Sequence, residues 1–557
     1  MEPGRESDQS DPAAETPGAP PRRRSKLKIL LAIITALAGL CILSYVVENI
    51  RGKWAWVAFR EDLEARGEKL DYRQWIPAPI PSEKNFAHTP LLKPLFETEY
   101  DEDFGTFTPA DPEKHEQAER LLQGLLDFEE LPAFIRWPDG QRVDLAAFQK
   151  IFRKEGPSPP PAKHDKRIED MLEALGVSAD DKAGPPRVWP HPAKPGKPAE
   201  DILLALGVFA EDMAELTRAA KERPLCRFDI KYETLLSAKM PHGSVLRNAI
   251  AVYTLRALAH LAADAVEAAF SDVEMGLFLA DCTSSEPMLI SQQMRISAHY
   301  LVLQAAWEGL ASQKWNAHQL ATLEKRLAGI DLLEDFHRSQ LGERDMFNGE
   351  LEKIRKNADI GKFNHAIVDR SWWQPTGWFD QNQLRYNEHY MRFIRRGIDL
   401  ETRTIKLSVA VEQTKFIDEM SRSHPYNQFI LIAILELSSV TPLFGDGQTK
   451  ADLARIACLI ELHKLRNGKY PSKLSEVQSP LPLPTDPYSG KPYLYSVAPG
   501  PEPGERYQLY GVGWNQEDDG GRIFLHEDGG IESKKGDLAW RYSPVPTLPE
   551  IQEPEEK

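Results

Sequence analysis

The sequence has no long run of basic residues. Among its 557 residues, 84 acidic side chains outnumber 68 basic ones, and the net charge at neutral pH is −16. A nucleic-acid partner needs a local positive field that attracts phosphates. The sequence therefore predicts that the protein does not bind nucleic acid.

Cysteines are also few. Cys41 lies in an apolar stretch, and Cys226, Cys282 and Cys458 are scattered along the chain with apolar neighbours. This wide spacing matches neither a disulfide framework nor a zinc site. Buried free thiols are the simpler interpretation, and a bridge between one pair remains open as an alternative.

Motifs of common enzymes are missing as well. The sequence contains no His-Glu-x-x-His, no Gly-x-Ser-x-Gly and no Cys-x-x-Cys, and the Gly-rich stretch 445–450 does not match a phosphate-binding loop. We therefore predict no catalytic residue. The enzymatic alternative is a hydrolase whose site is assembled from scattered residues such as Arg227, Glu233, Glu343 and Arg344. For Arg344, an inward ion pair with Glu343 or Asp345 is the favoured interpretation.

One long hydrophobic run is present, at residues 27–47. Its 21 residues would reach roughly 31 Å as a helix, which is enough to cross the hydrocarbon core of a bilayer. The run is longer than the apolar part of a typical signal peptide, and no small-x-small cleavage site follows it. Trp54 and Trp56 follow where the membrane interface is expected.

The charges beside this run predict its orientation. Five basic residues precede or open it and only two closely follow it, which by the positive-inside rule places the N-terminus in the cytoplasm. We therefore expect a single-pass protein of a bacterial inner membrane with most of the chain outside the cytoplasm. Its first partner is the lipid bilayer, through residues 27–47.

The remaining chain divides by composition and hydrophobic period into a mainly α protein. A duplicated helix, "EDMLEALGVSADD" and "EDILLALGVFAED", precedes the longest helical region, and Gly176 and Gly207 are expected as left-handed caps. The predicted units are a disordered cytoplasmic tail (1–26), the transmembrane helix (27–47), membrane-proximal helices with Pro-rich extended segments (48–155), a Pro-rich linker with the duplicated helices (156–223), an array of helical hairpins (224–445), an α+β module with a short antiparallel sheet (446–543) and a disordered tail (544–557).

An acidic loop closes the α+β module. Asn515, Glu517 and Asp519 place oxygen-bearing side chains at alternate positions before Gly520, as in the first half of an EF-hand. The twelfth position of that loop would be His526, and a strand follows instead of a helix, which excludes an EF-hand. The residues leave two alternatives, a calcium site and a tight acidic turn.

Three segments around this loop resemble the globular end of the major pseudopilin of type II secretion systems. In that family a long helix ends in Asn-Gly-x-Tyr-Pro, an Asp-Pro-aromatic-Gly-x-Pro loop leads into a short sheet, and an acidic loop after Tyr-Gly-x-Gly binds calcium. The matching pieces here are residues 467–471, 486–492 and 510–519. The resemblance implies that Asn515, Glu517, Asp518 and Asp519 face a structural calcium ion.

The order of the segments along the whole chain resembles uncharacterised single-pass bacterial membrane proteins. Helical hairpins also offer surfaces to protein partners. We therefore expect a non-enzymatic binding or assembly protein with a protein partner in the cell envelope. An envelope hydrolase with a site in the helical region, or an accessory factor of a secretion or pilus-like machine, is the alternative.

Overall fold

The fold is mainly α-helical, in agreement with the prediction. The computed structural model describes residues 23–101, 106–126, 131–153, 189–356, 374–420, 424–427, 430–497, 506–525 and 531–543. Within these ranges, short antiparallel sheets of two or three strands accompany the helices. Residues 1–22 of the predicted N-terminal tail (1–26), the predicted tail at 544–557 and the first copy of the duplicated helix lie outside the described residues, whereas residues 23–26 belong to the first helix.

The first helix, α1 (Arg23–Ala65), carries the hydrophobic run. Its segment Leu27–Ala65 is long and apolar enough to cross a membrane, and the apolar side chains of residues 27–43 are exposed. The helix continues past residue 47 without a break, because no proline interrupts it. Trp54 is 74% exposed, as an interface anchor requires, whereas Trp56 is only 6% exposed and is therefore buried by the protein itself.

Most of the remaining chain folds into helices that share one hydrophobic core. In chain order they are α2 (Pro112–Glu119), α3 (Leu145–Phe152), α4 (Pro198–Leu206), α5 (Ala210–Glu222), α6 (His242–Ala262), α7 (Val266–Asp281), α8 (Leu289–Ala311), α9 (Ala317–Ala328), α10 (Leu332–Lys356), α11 (Thr376–His389), α12 (Leu407–Glu419) and α13 (Ile430–Asn467).

Helices α6 and α7 form a helical hairpin within the region predicted to be an array of such hairpins (224–445). The turn between them is only three residues long, and Asp264 adopts the left-handed conformation there with φ +59°. Short connections make sequential helices antiparallel neighbours, and α8 packs against both members of the pair. Almost every residue of α6 is buried, which explains why its hydrophobic side chains surround the helix instead of forming a single stripe.

The second copy of the duplicated helix corresponds to α4, and the predicted left-handed cap after it is wrong. Gly207 has φ −56° and continues through a short 3₁₀ turn into α5. The physical reason is Phe209, which is buried in the core. A right-handed turn delivers this side chain inward, so the glycine is not needed to reverse the chain.

Helices α11 and α12 lie within the predicted array of helical hairpins (224–445), and irregular elements separate them. A π-helical turn, Tyr390–Ile394, follows α11, and a two-residue hairpin of β3 (Ile398–Asp399) with β4 (Thr404–Ile405) precedes α12. An earlier hairpin, β1 (Thr98–Asp101) with β2 (Thr106–Pro109), lies in a part of the chain expected to be helical or extended.

The C-terminal part is the expected α+β unit. Helix α13 ends at Asn467, and Gly468 adopts φ +73°, which is the predicted helix stop. Beyond it, β5 (Leu494–Ser496), β6 (Gln508–Gly511) and β9 (Leu538–Trp540) form one antiparallel sheet, and β7 (Ile523–Leu525) pairs with β8 (Ile531–Gly536). Helix α13 begins at residue 430, so it crosses the boundary predicted between the helical array (224–445) and the α+β module (446–543).

Candidate functional site

The acidic loop after β6 is held against the preceding turn of the C-terminal unit. The backbone N–H of Val512 donates to Asp486 Oδ2 at 3.0 Å, and Gln516 Nε2 donates to the carbonyl oxygen of Tyr488 at 2.5 Å. Asp486 in turn accepts from the N–H of Tyr488 at 2.9 Å. These contacts bring the segments 486–490 and 512–516 together.

The four predicted calcium ligands contribute to the turn in different ways. Asn515 Nδ2 donates to Asp519 Oδ2 at 2.8 Å, and the N–H of Glu517 donates to Asn515 Oδ1 at 3.2 Å. Asp518 Oδ1 accepts from the Tyr510 hydroxyl at 3.1 Å and from the N–H of Gly520 at 3.0 Å. The structure thus brings Asn515 and Asp519 into direct contact, and Glu517 and Asp518 lie on the exposed side.

A fifth oxygen donor, Asp537, lies beneath the loop. It is 2% exposed, its Oδ2 accepts from the N–H of Gly521 at 2.7 Å, and its Oδ1 is buried without a hydrogen-bond partner. Burial raises the pKa of Asp537 to about 6, and the nearby charges of Asp519 and Asp518 contribute in the same direction. Sequence reasoning missed this residue because the β7–β8 hairpin separates it from the loop. The sequence signal that could have identified Asp537 is an aspartate directly before the hydrophobic Leu538.

The oxygen atoms of these side chains are suitable ligands for calcium, but in the structure the side chains form hydrogen bonds that stabilise the turn. Carboxylate and amide oxygens are the ligands that calcium prefers. Among the residues that the structure describes, no group of three or more His, Cys, Asp or Glu side chains is arranged to hold a metal ion. Binding would require Asn515 and Asp518 to exchange internal hydrogen bonds for the ion, and the calcium site therefore stays a prediction.

We expect calcium to raise the melting temperature of the full-length protein in detergent. A calcium concentration about 100 times Kd would stabilise the folded state by about 2.7 kcal/mol. Asp518→Ala and Asp519→Ala should each remove this gain, which differential scanning fluorimetry can measure. Asp418→Ala, an exposed aspartate on α12, is the matched control and should keep the gain. An unchanged melting temperature of the wild type in excess calcium would reduce the loop to a turn.

Asp537 also predicts a dependence of stability on pH. Because its pKa is higher in the folded protein than the unfolded value of about 3.9, its contribution to stability is fully present below about pH 4 and is lost as pH rises through about 6. Urea unfolding between pH 4 and 8 with a chelator should show this slope. Asp537→Asn should make this slope shallower, and Asp418→Asn should leave it unchanged. Asp380 and Asp452, whose pKa values burial also raises, supply the slope that is left. The same slope in Asp537→Asn as in the wild type would contradict the assignment.

The residues of the enzymatic alternative are spread over separate structural contacts. Arg227 pairs with Asp229 at 3.0 Å and donates through Nε to the carbonyl oxygen of Pro77 at 2.9 Å. Glu343 accepts from the N–H of Leu289 at 2.7 Å, at the start of α8. Glu233 is exposed on a 3₁₀ turn. These contacts hold the chain in place and give no common site.

Arg344 is the centre of a buried ionic cluster that holds the end of α1 on α10. Its guanidinium is 0% exposed, and it donates to Asp345 Oδ1 at 2.9 Å, to Glu68 Oε2 at 2.9 Å and to the carbonyl oxygen of Lys69 at 3.1 Å. Asp345 Oδ2 also accepts from Trp75 Nε1 at 2.8 Å. Of the two predicted partners the structure selects Asp345, and it adds Glu68 from the segment that leaves α1.

A second contact fixes α1 nearer to the hydrophobic run. There the backbones of α1 and α11 approach each other at Gly52 and Gly377. A Cβ added at Gly52 would lie 2.6 Å from Gly377 Cα, and a Cβ added at Gly377 would lie 2.9 Å from Asn49 Cα. The N–H of Gly377 donates to Asn49 Oδ1 at 3.0 Å, and the Tyr45 hydroxyl donates to the carbonyl oxygen of Gln374 at 3.3 Å.

The same region carries a polar contact at the level where the hydrophobic run ends. The hydroxyl of Tyr426 donates to Glu48, and Arg51 pairs with both of these side chains. The guanidinium of Arg385 lies 5.2 Å from the centre of the Tyr426 ring. Together with the two glycines, these contacts attach the helical region directly to α1 at residues 45–52.

Comparison of the chain with models of known protein families, with curated proteins and with solved structures found no match. Function is therefore inferred from the geometry of the acidic loop and of the α1 attachment. The pseudopilin resemblance stays a prediction from the residues that carry it.

Proposed function

We propose that this chain is a single-pass protein of a bacterial inner membrane that binds or assembles with a protein partner outside the cytoplasm, and that it is not an enzyme. Its N-terminus lies in the cytoplasm, and residues after 47 lie outside it. The basic residues before the hydrophobic run support this orientation.

The observation that carries the proposal is the rigid connection between α1 and the rest of the protein. The helix extends without a break from the hydrophobic run to Ala65, and its outer part is fixed by the glycine contact with α11 and by the pairing of Glu68 with Arg344. A flexible linker would let the domain search a large volume. The attachment instead holds the domain at a defined position beside the membrane, which suits assembly with another membrane-bound component.

The distribution of charged groups supports binding over catalysis. Ionisable clusters with perturbed pKa values occur at active sites and in structural ion pairs alike. Here the buried cluster around Arg344 connects three segments of the chain, and Arg227 and Glu343 hold backbone groups. Arrays of helical hairpins in general provide surfaces that bind protein partners.

A second candidate function follows from the C-terminal unit. The pseudopilin resemblance of residues 467–471, 486–492 and 510–519 supports an accessory role in a secretion or pilus-like machine. In either function a calcium ion at residues 515–519 would stabilise the small unit and would take no part in a reaction.

Protease protection tests the orientation. Spheroplasts that carry the full-length protein with tags at both ends should lose the C-terminal tag to added protease and keep the N-terminal tag. Digestion after detergent lysis is the control that both tags are accessible. Protection of the C-terminal tag in intact spheroplasts would overturn the proposed location.

Crosslinking in living cells, followed by purification in detergent, tests the binding role. We expect an envelope protein to be recovered in near-stoichiometric amount with the full chain. A matched chain in which an unrelated transmembrane helix replaces residues 27–47 should recover the same protein, because α1 beyond the run is retained. Recovery only with the native run would assign binding to the membrane segment, and no stoichiometric partner would contradict the proposal.

A further inference from the structure

Two of the four cysteines lie next to each other in the folded protein, although 55 residues separate them in the sequence. The side chains of Cys226 and Cys282 are close enough to interact with each other. Cys226 is half-buried, and Cys282 is 2% exposed at the end of α7. Among the described cysteines, Cys41 is exposed on α1 and Cys458 is buried within α13.

The surrounding backbone fixes this proximity independently of the thiols. Residue 225 pairs with residue 85 in a parallel bridge, in which the N–H of Phe86 donates to the carbonyl oxygen of Leu225 at 2.7 Å. The Phe86 ring then packs edge-on against Phe278, with centroids 5.0 Å apart. Phe278 is one turn before Cys282, whose thiol donates to its carbonyl oxygen at 3.4 Å.

Arg227, the residue after Cys226, is also held by hydrogen bonds to this segment. The Asn85 side chain accepts from the N–H of Arg227 at 2.9 Å and donates to the carbonyl oxygen of the same residue at 2.8 Å. Cys226 is therefore flanked on both sides by backbone contacts to the segment at 84–86. Its side chain has little freedom to leave the end of α7.

We propose that Cys226 and Cys282 form a disulfide bond in the mature protein. The proposal rests on the extracytoplasmic location proposed above, since disulfides persist in the bacterial periplasm and are rare in the cytoplasm. The bond would link the segment that contains Cys226 to the end of α7 in the α6–α7 hairpin. It would thereby connect residues 225–227, which contact residues 84–86, covalently to the helical core.

The oxidant is a protein disulfide of an envelope thiol oxidase. The half-buried Cys226, as thiolate, attacks one sulfur of that disulfide, so that the donor's S–S bond breaks and a mixed disulfide forms. The Cys282 thiolate then attacks the Cys226 sulfur and releases the donor as a dithiol. Two thiol protons and two electrons leave this chain, and the donor disulfide is reduced by the same two electrons. Burial raises the pKa of Cys282 and shields its thiol from the donor, so the half-buried Cys226 is the first attacker.

Mass spectrometry of the native protein tests the bond. Cells are lysed in denaturant with N-ethylmaleimide, and the full-length protein is purified and digested with and without reduction. We expect a crosslinked pair of peptides that contains Cys226 and Cys282, lighter than the two thiol peptides by two hydrogen atoms. The Cys458 peptide should carry the maleimide. Maleimide on both Cys226 and Cys282 without prior reduction would overturn the proposal.

Thermal unfolding supplies a second readout. A reductant should lower the melting temperature of the wild type by several degrees, because the bond restricts the unfolded chain. Cys226→Ala and Cys282→Ala should unfold at the reduced temperature whether or not reductant is present. Cys458→Ala, which removes another buried thiol, should retain the sensitivity to reductant. Equal melting temperatures of the wild type with and without reductant would contradict the bond.

Oxidation of the purified, reduced protein by glutathione disulfide separates two kinds of failure. A bond that forms in the tube and is missing in cells would overturn the proposal together with the extracytoplasmic location. A bond that forms in neither case, while protease reaches the domain in spheroplasts, would overturn the contact between the two thiols and leave the proposed function intact.

Discussion

Arg344→Met is expected to lower the free energy of unfolding by about 3–5 kcal/mol, because it leaves Asp345 buried without its cationic partner and leaves Glu68 paired with Arg395 alone. Methionine keeps most of the side-chain volume, so that the loss of charge dominates over the loss of packing. The ring of Tyr390, which lies 4.7 Å from the guanidinium, would also lose a cation–π contact. Urea unfolding of the full-length protein in detergent measures the effect.

Two further variants make this result specific. Arg66→Met removes the exposed pair with Asp62 on α1, and it should change the free energy of unfolding by less than about 0.5 kcal/mol. Asp345→Asn in the Arg344→Met background should recover part of the loss, since it removes the stranded charge. Equal stability of Arg344→Met and wild type would mean that the cluster contributes nothing to the attachment of α1.

Gly377→Val is expected to cost at least about 3 kcal/mol, near the upper end of the usual cost of overpacking. The atoms that an added side chain would meet are backbone atoms of Glu48 and Asn49, which cannot rotate away. The two helices must separate, and the hydrogen bonds from Gly377 to Asn49 and from Tyr45 to Gln374 are lost with that separation. Thermal unfolding and limited proteolysis near residue 374 would report both effects.

Gly207→Ala is the matched control for this substitution. Gly207 lies in right-handed backbone with no heavy atom within 4 Å of an added Cβ, so alanine should be neutral or stabilising by up to about 1 kcal/mol. A Gly377→Val protein as stable as Gly207→Ala would show that α1 and α11 can move apart at no cost, and the rigid attachment would then be wrong.

Local signals predicted much of the fold. The hydrophobic run predicted the exposed apolar part of α1, and the spacing of apolar residues predicted helical hairpins over 224–445 without locating the turn between α6 and α7. Helix α13 stops at the predicted position, and Gly468 adopts the left-handed conformation there. Gly207 does not, because whether a glycine reverses the chain depends on where the next side chains are buried, and burial is a property of the whole fold.

The parts of the fold and of the acidic loop that the sequence did not predict depend on contacts between residues far apart in the chain. Arg344 and Asp345 are neighbours and could be paired from sequence, whereas Glu68 comes from the segment after α1 and carries no local sign of its role. Glu343, the other predicted partner, binds the N–H of Leu289 instead. In the acidic loop, residues 515–519 were visible from composition, and Asp537 became visible only when β8 and β9 brought it beneath the loop.

The unbroken course of α1 has a mechanical consequence. A helix of 43 residues is about 65 Å long, and roughly half of it extends beyond the hydrophobic run. Transmembrane helices change their tilt to match bilayer thickness. In the proposed single-pass arrangement, the outer part of α1 is fixed at Gly377 and the segment after it at Arg344, so a change of tilt would swing the whole domain through the same angle. The thickness of the surrounding lipid would thereby set how far from the membrane, and facing which way, the domain presents its surfaces.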